Sequence, residues 1–300
     1  MRESRRPVTK AVIVAAGFGT RFLPASKAVP KVMFPVIDKP IIQLVVEDIV
    51  AAGITDIVIV ISHFTEETKK HFEVFPALNE LLEKSGKQKE LEELKKIESL
   101  AKFTFVYQKP GRIGNGVALL SAREAVGGEP FALSWADEFF IANPSRVTQL
   151  VKAYEKFGGM TNGCIKVTDP AYGGRFGFYV GDRVDEATIK VKDLVEKPGV
   201  GKAPSEFGSV SGAILQPEIF DYLGKADKEL DPKVELYYNT YGLLPMLRDG
   251  YPLYAVEYQN CRYFDTGDKL GYLKSLVELG MENIQFGKEF KEWLGQVVRQ

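Results

Sequence analysis

Arg21 and Lys31 are the residues whose setting most suggests chemistry. They follow Ala15-Ala16-Gly17-Phe18-Gly19-Thr20, which itself follows the apolar run Ala11-Val12-Ile13-Val14. Such a run reads as a buried parallel strand. A strand ending in a glycine-rich turn exposes backbone N–H groups at its carboxyl end, where open α/β sheets hold phosphates. The turn delivers two cations and no nucleophile. That suits nucleotide handling by positioning and charge rather than covalent catalysis. The third glycine of a dinucleotide fingerprint is absent, since residue 22 is Phe, and no Walker lysine pattern occurs.

Around this turn, strand-like and helix-like stretches alternate. Strands are expected at 11–15, 56–61, 103–108 and 131–135, the last running into Asp137-Glu138. Helices are expected at 41–52, stopped by Gly53, and at 65–72 and 116–126. The order implies a mostly parallel sheet with right-handed crossovers. Residues 76–102 form a charged excursion, read as two helices broken near Gly86, with Leu91, Leu94 and Ile97 on one narrow stripe. That stripe is either a solvated helical face or a subunit contact. Further strands are expected at 162–167, 176–180, 188–196, 209–215 and 251–257, and a helix starting at Pro217. Amphipathic helices close the chain within 268–300. No linker forces a boundary, so 1–300 reads as one domain.

Bulk numbers exclude several classes. The chain has 300 residues, 45% of them apolar, and a net charge of −1, which gives no global attraction to nucleic acid or an anionic membrane. Cys164 and Cys261 form no CxxC pair, and His63 and His71, read as surface or loop residues, are too few for a histidine-rich metal site. The basic residues 1–7 lead into no apolar segment of leader length, so no signal peptide and no membrane span are expected, and a cytoplasmic location is.

The longer string Ala-Ala-Gly-Phe-Gly-Thr-Arg-Phe-Leu-Pro-Ala-Ser-Lys-Ala-Val-Pro-Lys, residues 15–31, resembles the signature of sugar-nucleotide pyrophosphorylases, a nucleotidyltransferase family. Its second half is similar to the bacterial UTP–glucose-1-phosphate uridylyltransferase branch. So are Ala51-Ala52-Gly53-Ile54-Thr55-Asp56, Val195-Glu196-Lys197-Pro198, Phe264-Asp265-Thr266-Gly267-Asp268 and Phe290-Lys291-Glu292-Trp293-Leu294. The resemblance implies an α/β fold: a Rossmann-like, mixed, mostly parallel central sheet flanked by helices, of the glycosyltransferase-A-like nucleotidyltransferase type. It implies in-line attack of a sugar-1-phosphate on the α-phosphorus of a nucleoside triphosphate. By the same resemblance, Ala16, Gly17, Gly19 and Thr20 hold the nucleotide, with Gln108 and Gly116 beside the base. Arg21 neutralises the pyrophosphate, and Lys31 sits near the α-phosphate. Gly177, Glu196 and Lys197 receive the sugar phosphate. Asp137 and Asp265 would bind Mg²⁺, and dimers or tetramers are implied.

The match departs in places. Val32 stands where a base-reading Glu is usual, and Gly114-Asn115-Gly116-Val117-Ala118 replaces Gly-Leu-Gly-His-Ala. Trp135-Ala136-Asp137-Glu138 replaces the usual metal-site string, and Glu235-Leu236-Tyr237-Tyr238-Asn239-Thr240-Tyr241 replaces Glu-Ile-Gln-Leu-Thr-Asp-Ala. Ser209-Val210-Ser211-Gly212 also differs near the sugar side. These changes leave a thymidylyltransferase, a transferase for another sugar-1-phosphate, and a nucleotide-sugar-binding regulator as alternatives to uridylyl transfer to glucose-1-phosphate.

Overall fold

A computed structural model describes residues 6–299, so the basic residues 1–5 that bear on the leader expectation lie outside it. Strand β1 (Lys10–Val14) forms where the sequence is β-branched and apolar, and its Ala11, Val12 and Ile13 are fully buried. Two short strands, β2 (Pro35–Val36) and β3 (Lys39–Pro40), follow the glycine turn, and helix α1 (Ile41–Val50) returns the chain. Strand β4 (Asp56–Ile61) then lies parallel to β1, with Val12 opposite Val58.

The crossover from β4 holds α2 (Glu67–Phe72), α3 (Pro76–Lys84) and α4 (Gln88–Glu98) before β5 (Lys102–Tyr107). The charged excursion is thus two helices, as its spacing implied. Leu91 is buried within the chain, while Leu94 and Ile97 are half-buried. Next come α5 (Asn115–Ser121), α6 (Arg123–Val126) and β6 (Phe131–Trp135), which pairs parallel with the other side of β1.

The second half contains β7 (Glu138–Ala142), α7 (Arg146–Phe157), β8 (Met160–Lys166), β9 (Gly177–Arg183), β10 (Thr188–Glu196) and β11 (Phe207–Leu215). It ends with α8 (Ile219–Glu229), α9 (Leu244–Arg248), β12 (Leu253–Glu257), β13 (Cys261–Asp265), α10 (Lys269–Glu282) and α11 (Gly287–Val297). One nine-stranded sheet runs β5-β4-β1-β6-β11-β8-β12-β10-β9. Its first four strands are mutually parallel. From β6 onward the neighbours are antiparallel, except β8 with β12. The sheet is therefore mixed, with its parallel part confined to the N-terminal half.

Alternating side chains feed two cores. Val12, Val58 and Leu133 join residues of α5, α8 and α9 on one face. Ala11, Ile13, Ile57 and Ile59 join residues of α1 and α7 on the other. A buried ion pair, Arg146 Nε to Asp48 Oδ2 at 2.6 Å, ties α7 to α1. Asp48 also accepts from the Arg146 backbone N–H at 3.0 Å, and Arg146 donates to Ser211 O at 2.8 Å. Removing one partner of such a pair typically costs about 3–5 kcal/mol, because it strands a buried charge.

The expectation for the histidines holds for exposed His63 but not for His71. His71 lies in α2, half-buried, with Nε2 2.9 Å from Gln43 Oε1. Both cysteines are free. Among the described residues no helix is long and apolar enough to cross a membrane.

Candidate active site

The glycine turn grows out of β1, whose last hydrogen bond is from Ala15 N–H to Val60 O at 2.8 Å. Gly19 has φ +61, the left-handed region that favours glycine. A Cβ there would also stand 3.0 Å from Lys31 Cβ, so turn and lysine are in direct contact. Ser26 Oγ fixes the turn by donating to Gly19 O at 2.8 Å. Thr20–Phe22 forms a 3₁₀ turn that buries Phe22 and leaves Arg21 exposed.

Lys31 is buried, and its Nζ lies 3.3 Å from Asp137 Oδ2 and 5.7 Å above the Phe22 ring. Asp137 sits in the tight turn from β6 to β7, at the same sheet edge as the glycine turn, and Ala136 N–H donates to Val14 O at 3.1 Å. Strands β7 and β13 form a separate antiparallel pair, with Asp265 opposite Glu138. That pairing brings the second carboxylate next to the first, although 128 residues separate Asp137 from Asp265 (265 − 137). Thr266, fully buried, donates its hydroxyl to Asp137 O at 2.6 Å. Gly267 N–H donates to Asp265 Oδ1 at 2.7 Å, and Arg21 Nη1 donates to Gly267 O at 3.3 Å. Lys31, Asp137, Thr266, Asp265 and Arg21 are therefore tied together through the Thr266-Gly267 turn, with Gly19 packed beside Lys31.

Asp265 and Asp137 keep open faces, with side-chain exposures of 28% and 58%. Among the described residues no group of three or more His, Cys, Asp or Glu could hold a metal. Asp137 in the β6–β7 turn and Asp265 at the end of β13, whose Oδ1 takes Gly267 N–H and whose Oδ2 pairs with Arg175, make a small carboxylate set. Such a set fits Mg²⁺, which keeps waters and takes phosphate oxygens rather than an all-protein cage. Glu138 is partly buried, accepts Ser211 N–H at 2.6 Å, and has its carboxyl pushed up to about 7 by burial and by the Asp137 charge.

A second cluster surrounds Glu196, the last residue of β10. Lys197 follows with φ +44, and its Nζ lies 3.6 Å from Glu196 Oε1. Gly177 opens β9 against them, and a Cβ there would meet Glu196 Oε2 at 2.9 Å. Trp135, two residues before Asp137, joins the two clusters by packing on Tyr238 at 5.2 Å between ring centroids. Gln108 follows the end of β5 and donates its N–H to Ile61 O at 2.8 Å. Gly116 is more enclosed: its N–H donates to Leu236 O at 2.8 Å, and a Cβ would meet that same oxygen.

Several residues of this site are not singled out by the sequence reading. Arg175 makes ion pairs with Asp265 and with Asp268, the latter at 3.1 Å. Its only sequence signal is a cation just before Phe176-Gly177. A cavity of about 460 Å³ borders Asp265 and Arg175. Thr266 gains its role from the hydrogen bond to Asp137 O, and Asn239, which donates to Glu196 Oε2 at 3.2 Å, likewise only from pairing across a long separation.

The nucleotidyl transferase family profile matches residues 10–282. The chain is 35% identical over 289 residues to UTP–glucose-1-phosphate uridylyltransferase 2 of Staphylococcus saprophyticus, covering 96% of this chain and 98% of that one. It is 34% identical over 292 residues to UTP–glucose-1-phosphate uridylyltransferase of Staphylococcus haemolyticus, covering 97% and 99%. Among solved structures, UTP-bound UGPase from Acinetobacter baumannii matches with a TM-score of 0.85 and 31% identity, covering 96% of this chain and 98% of that one.

Proposed function

The chain belongs to the nucleotidyl transferase family, and on that premise we propose that it transfers the uridylyl group of UTP to glucose-1-phosphate, giving UDP-glucose and pyrophosphate. The observation that carries this reading is the contact of Gly19 with Lys31 and of Lys31 with Asp137 at a strand end. It sets a backbone anion cradle, a buried ammonium and a carboxylate around one point.

In this reading the backbone of Ala16, Gly17, Gly19 and Thr20 holds the triphosphate, and Gln108 and Gly116 flank the base. Lys31 draws charge from the α-phosphate as the sugar-phosphate oxygen attacks, and Arg21 stabilises the departing pyrophosphate. Glu196 accepts sugar hydroxyls beside Gly177, and Lys197 grips the sugar phosphate, so the two phosphates are aligned before reaction. Asp137 and Asp265 would hold Mg²⁺, which when bound neutralises phosphate charge. Chromatography of a mixture of UTP, glucose-1-phosphate and Mg²⁺ tests the reading. A UDP-glucose peak is expected, and unreacted UTP after long incubation contradicts it.

A second reading concerns the base. Val32 is 5% exposed and packs in the core beneath the turn, so its side chain offers no acceptor to a uracil N–H. Uracil and thymine present the same N–H, so this loss does not separate UTP from dTTP, and it weakens discrimination against bases without that N–H.

On this reading the enzyme works in the cytoplasm, where its triphosphate substrate is available, as one domain within a homo-oligomer. Support for assembly comes from the C-terminal helices, where Trp293, Val297 and Val298 are 53%, 44% and 77% exposed.

A further inference from the structure

The segment Tyr237-Tyr238-Asn239-Thr240-Tyr241 is one of the places where the sequence departs from the related signature, and it meets the Glu196 cluster through Asn239. Tyr238 is buried and held on three sides. Its N–H donates to Asn115 Oδ1 at 3.0 Å, its hydroxyl accepts from Asn162 Nδ2 at 3.1 Å, and its ring packs on Trp135. The next residue, Asn239, begins a π-helical turn, Asn239–Leu243. Such turns are rare and concentrate at functional sites, because the extra residue redirects a side chain.

Asn239 Nδ2 donates to Glu196 Oε2 at 3.2 Å. A carboxylate only accepts, so the amide nitrogen must face Glu196 and the orientation of the amide is fixed. Asn239 Oδ1 is then buried with no hydrogen-bond partner among the described residues. An orphan buried acceptor costs free energy unless something donates to it. The Glu196 carboxylate is thus held from three directions: Lys197 at Oε1, Asn239 at Oε2, and the bare face of Gly177.

We propose that Asn239 is the positioning residue of the sugar-phosphate subsite. It locks Glu196 in one rotamer through its amide N–H, so that the carboxylate meets the bound sugar in a single orientation. The inference rests on the uridylyl-transfer reading and adds to it a residue that positions the sugar-binding carboxylate. Asn239 acts on the sugar side alone, so its loss changes the KM for the sugar phosphate and not that for the triphosphate.

The test is a double-substitution cycle on the full-length chain, with UTP and glucose-1-phosphate as substrates and thermal melting as a fold control. Asn239→Ala raises the KM for glucose-1-phosphate roughly tenfold or more, the loss typical of one hydrogen bond to a charged group. The KM for UTP and the melting temperature stay at the wild-type values. Asn239→Asp keeps the shape but turns the donor into a second negative charge, and raises the same KM at least as much. In a Glu196→Gln background, Asn239→Ala adds less than half of its effect on a logarithmic scale. Full additivity in that background, or equal rises in both KM values, overturns the proposal. A wild-type protein that releases no pyrophosphate from these substrates overturns the function reading, and this one with it.

Discussion

Arg21 is the sharpest residue-level test of the phosphate chemistry. Its guanidinium is exposed and makes one hydrogen bond to the carbonyl of Gly267, so its removal strands no buried charge. Arg21→Ala should therefore leave the melting temperature unchanged and lower kcat by about 10²–10³-fold, the usual loss when a preorganised donor to developing charge is removed. Steady-state turnover measures this, and a variant as fast as wild type removes Arg21 from the mechanism. Arg21 and Lys31 stand out locally, in and after a glycine turn that follows a strand, whereas Asp137, Glu196 and Lys197 become candidates only through the resemblance of the motifs around them. Arg175, Thr266 and Asn239 were not readable. Each becomes meaningful only through a partner 90, 129 or 43 residues away, and single-sequence patterns carry no such pairing.

Elements were legible where one period dominated. The apolar runs of β1, β4, β5 and β6 are short, rich in β-branched or aromatic residues and spaced by helical stretches, so the parallel half of the sheet follows from pattern. Strands β7 and β13 were not recognised. Each is five residues long, and their pairing with each other is long-range. Helix α7 was also missed, although Ser145 caps it by accepting Thr148 N–H at 3.2 Å. Helix α2 carries its own testable consequence. Burial of His71 against Gln43 pushes its imidazole below the ordinary value of 6.5. The folded state then binds fewer protons than the unfolded state between that lowered value and 6.5. Stability from this group is complete above pH 6.5 and is lost as pH falls through that window. Urea unfolding at pH 7.5 and 5.5 should show a larger drop for wild type than for His71→Gln. Equal drops would mean that His71 is not held neutral in the fold.

At the scale of the whole molecule, the sheet divides the work. Its parallel half carries the nucleotide turn at a shared carboxyl edge, as open α/β sheets do. The mainly antiparallel half contributes β9 and β10, with Gly177 and Glu196 at the side proposed to take the sugar. Leu91 is buried inside the chain, and the exposed Trp293, Val297 and Val298 near the C-terminus are the surface proposed above for a second copy. Light scattering should report a dimer or larger, and Trp293→Glu with Val298→Glu should shift it toward monomer. A monomeric wild type contradicts that assembly. The central claim, that this turn and these carboxylates transfer a nucleotidyl group, is met most directly by measuring pyrophosphate release. Purified protein with Mg²⁺ would be given each of UTP, dTTP, ATP, CTP and GTP against a panel of sugar-1-phosphates. The account predicts release with UTP and glucose-1-phosphate, with dTTP as the next-best triphosphate. No release from any pair, or release with dTTP and none with UTP, would contradict it.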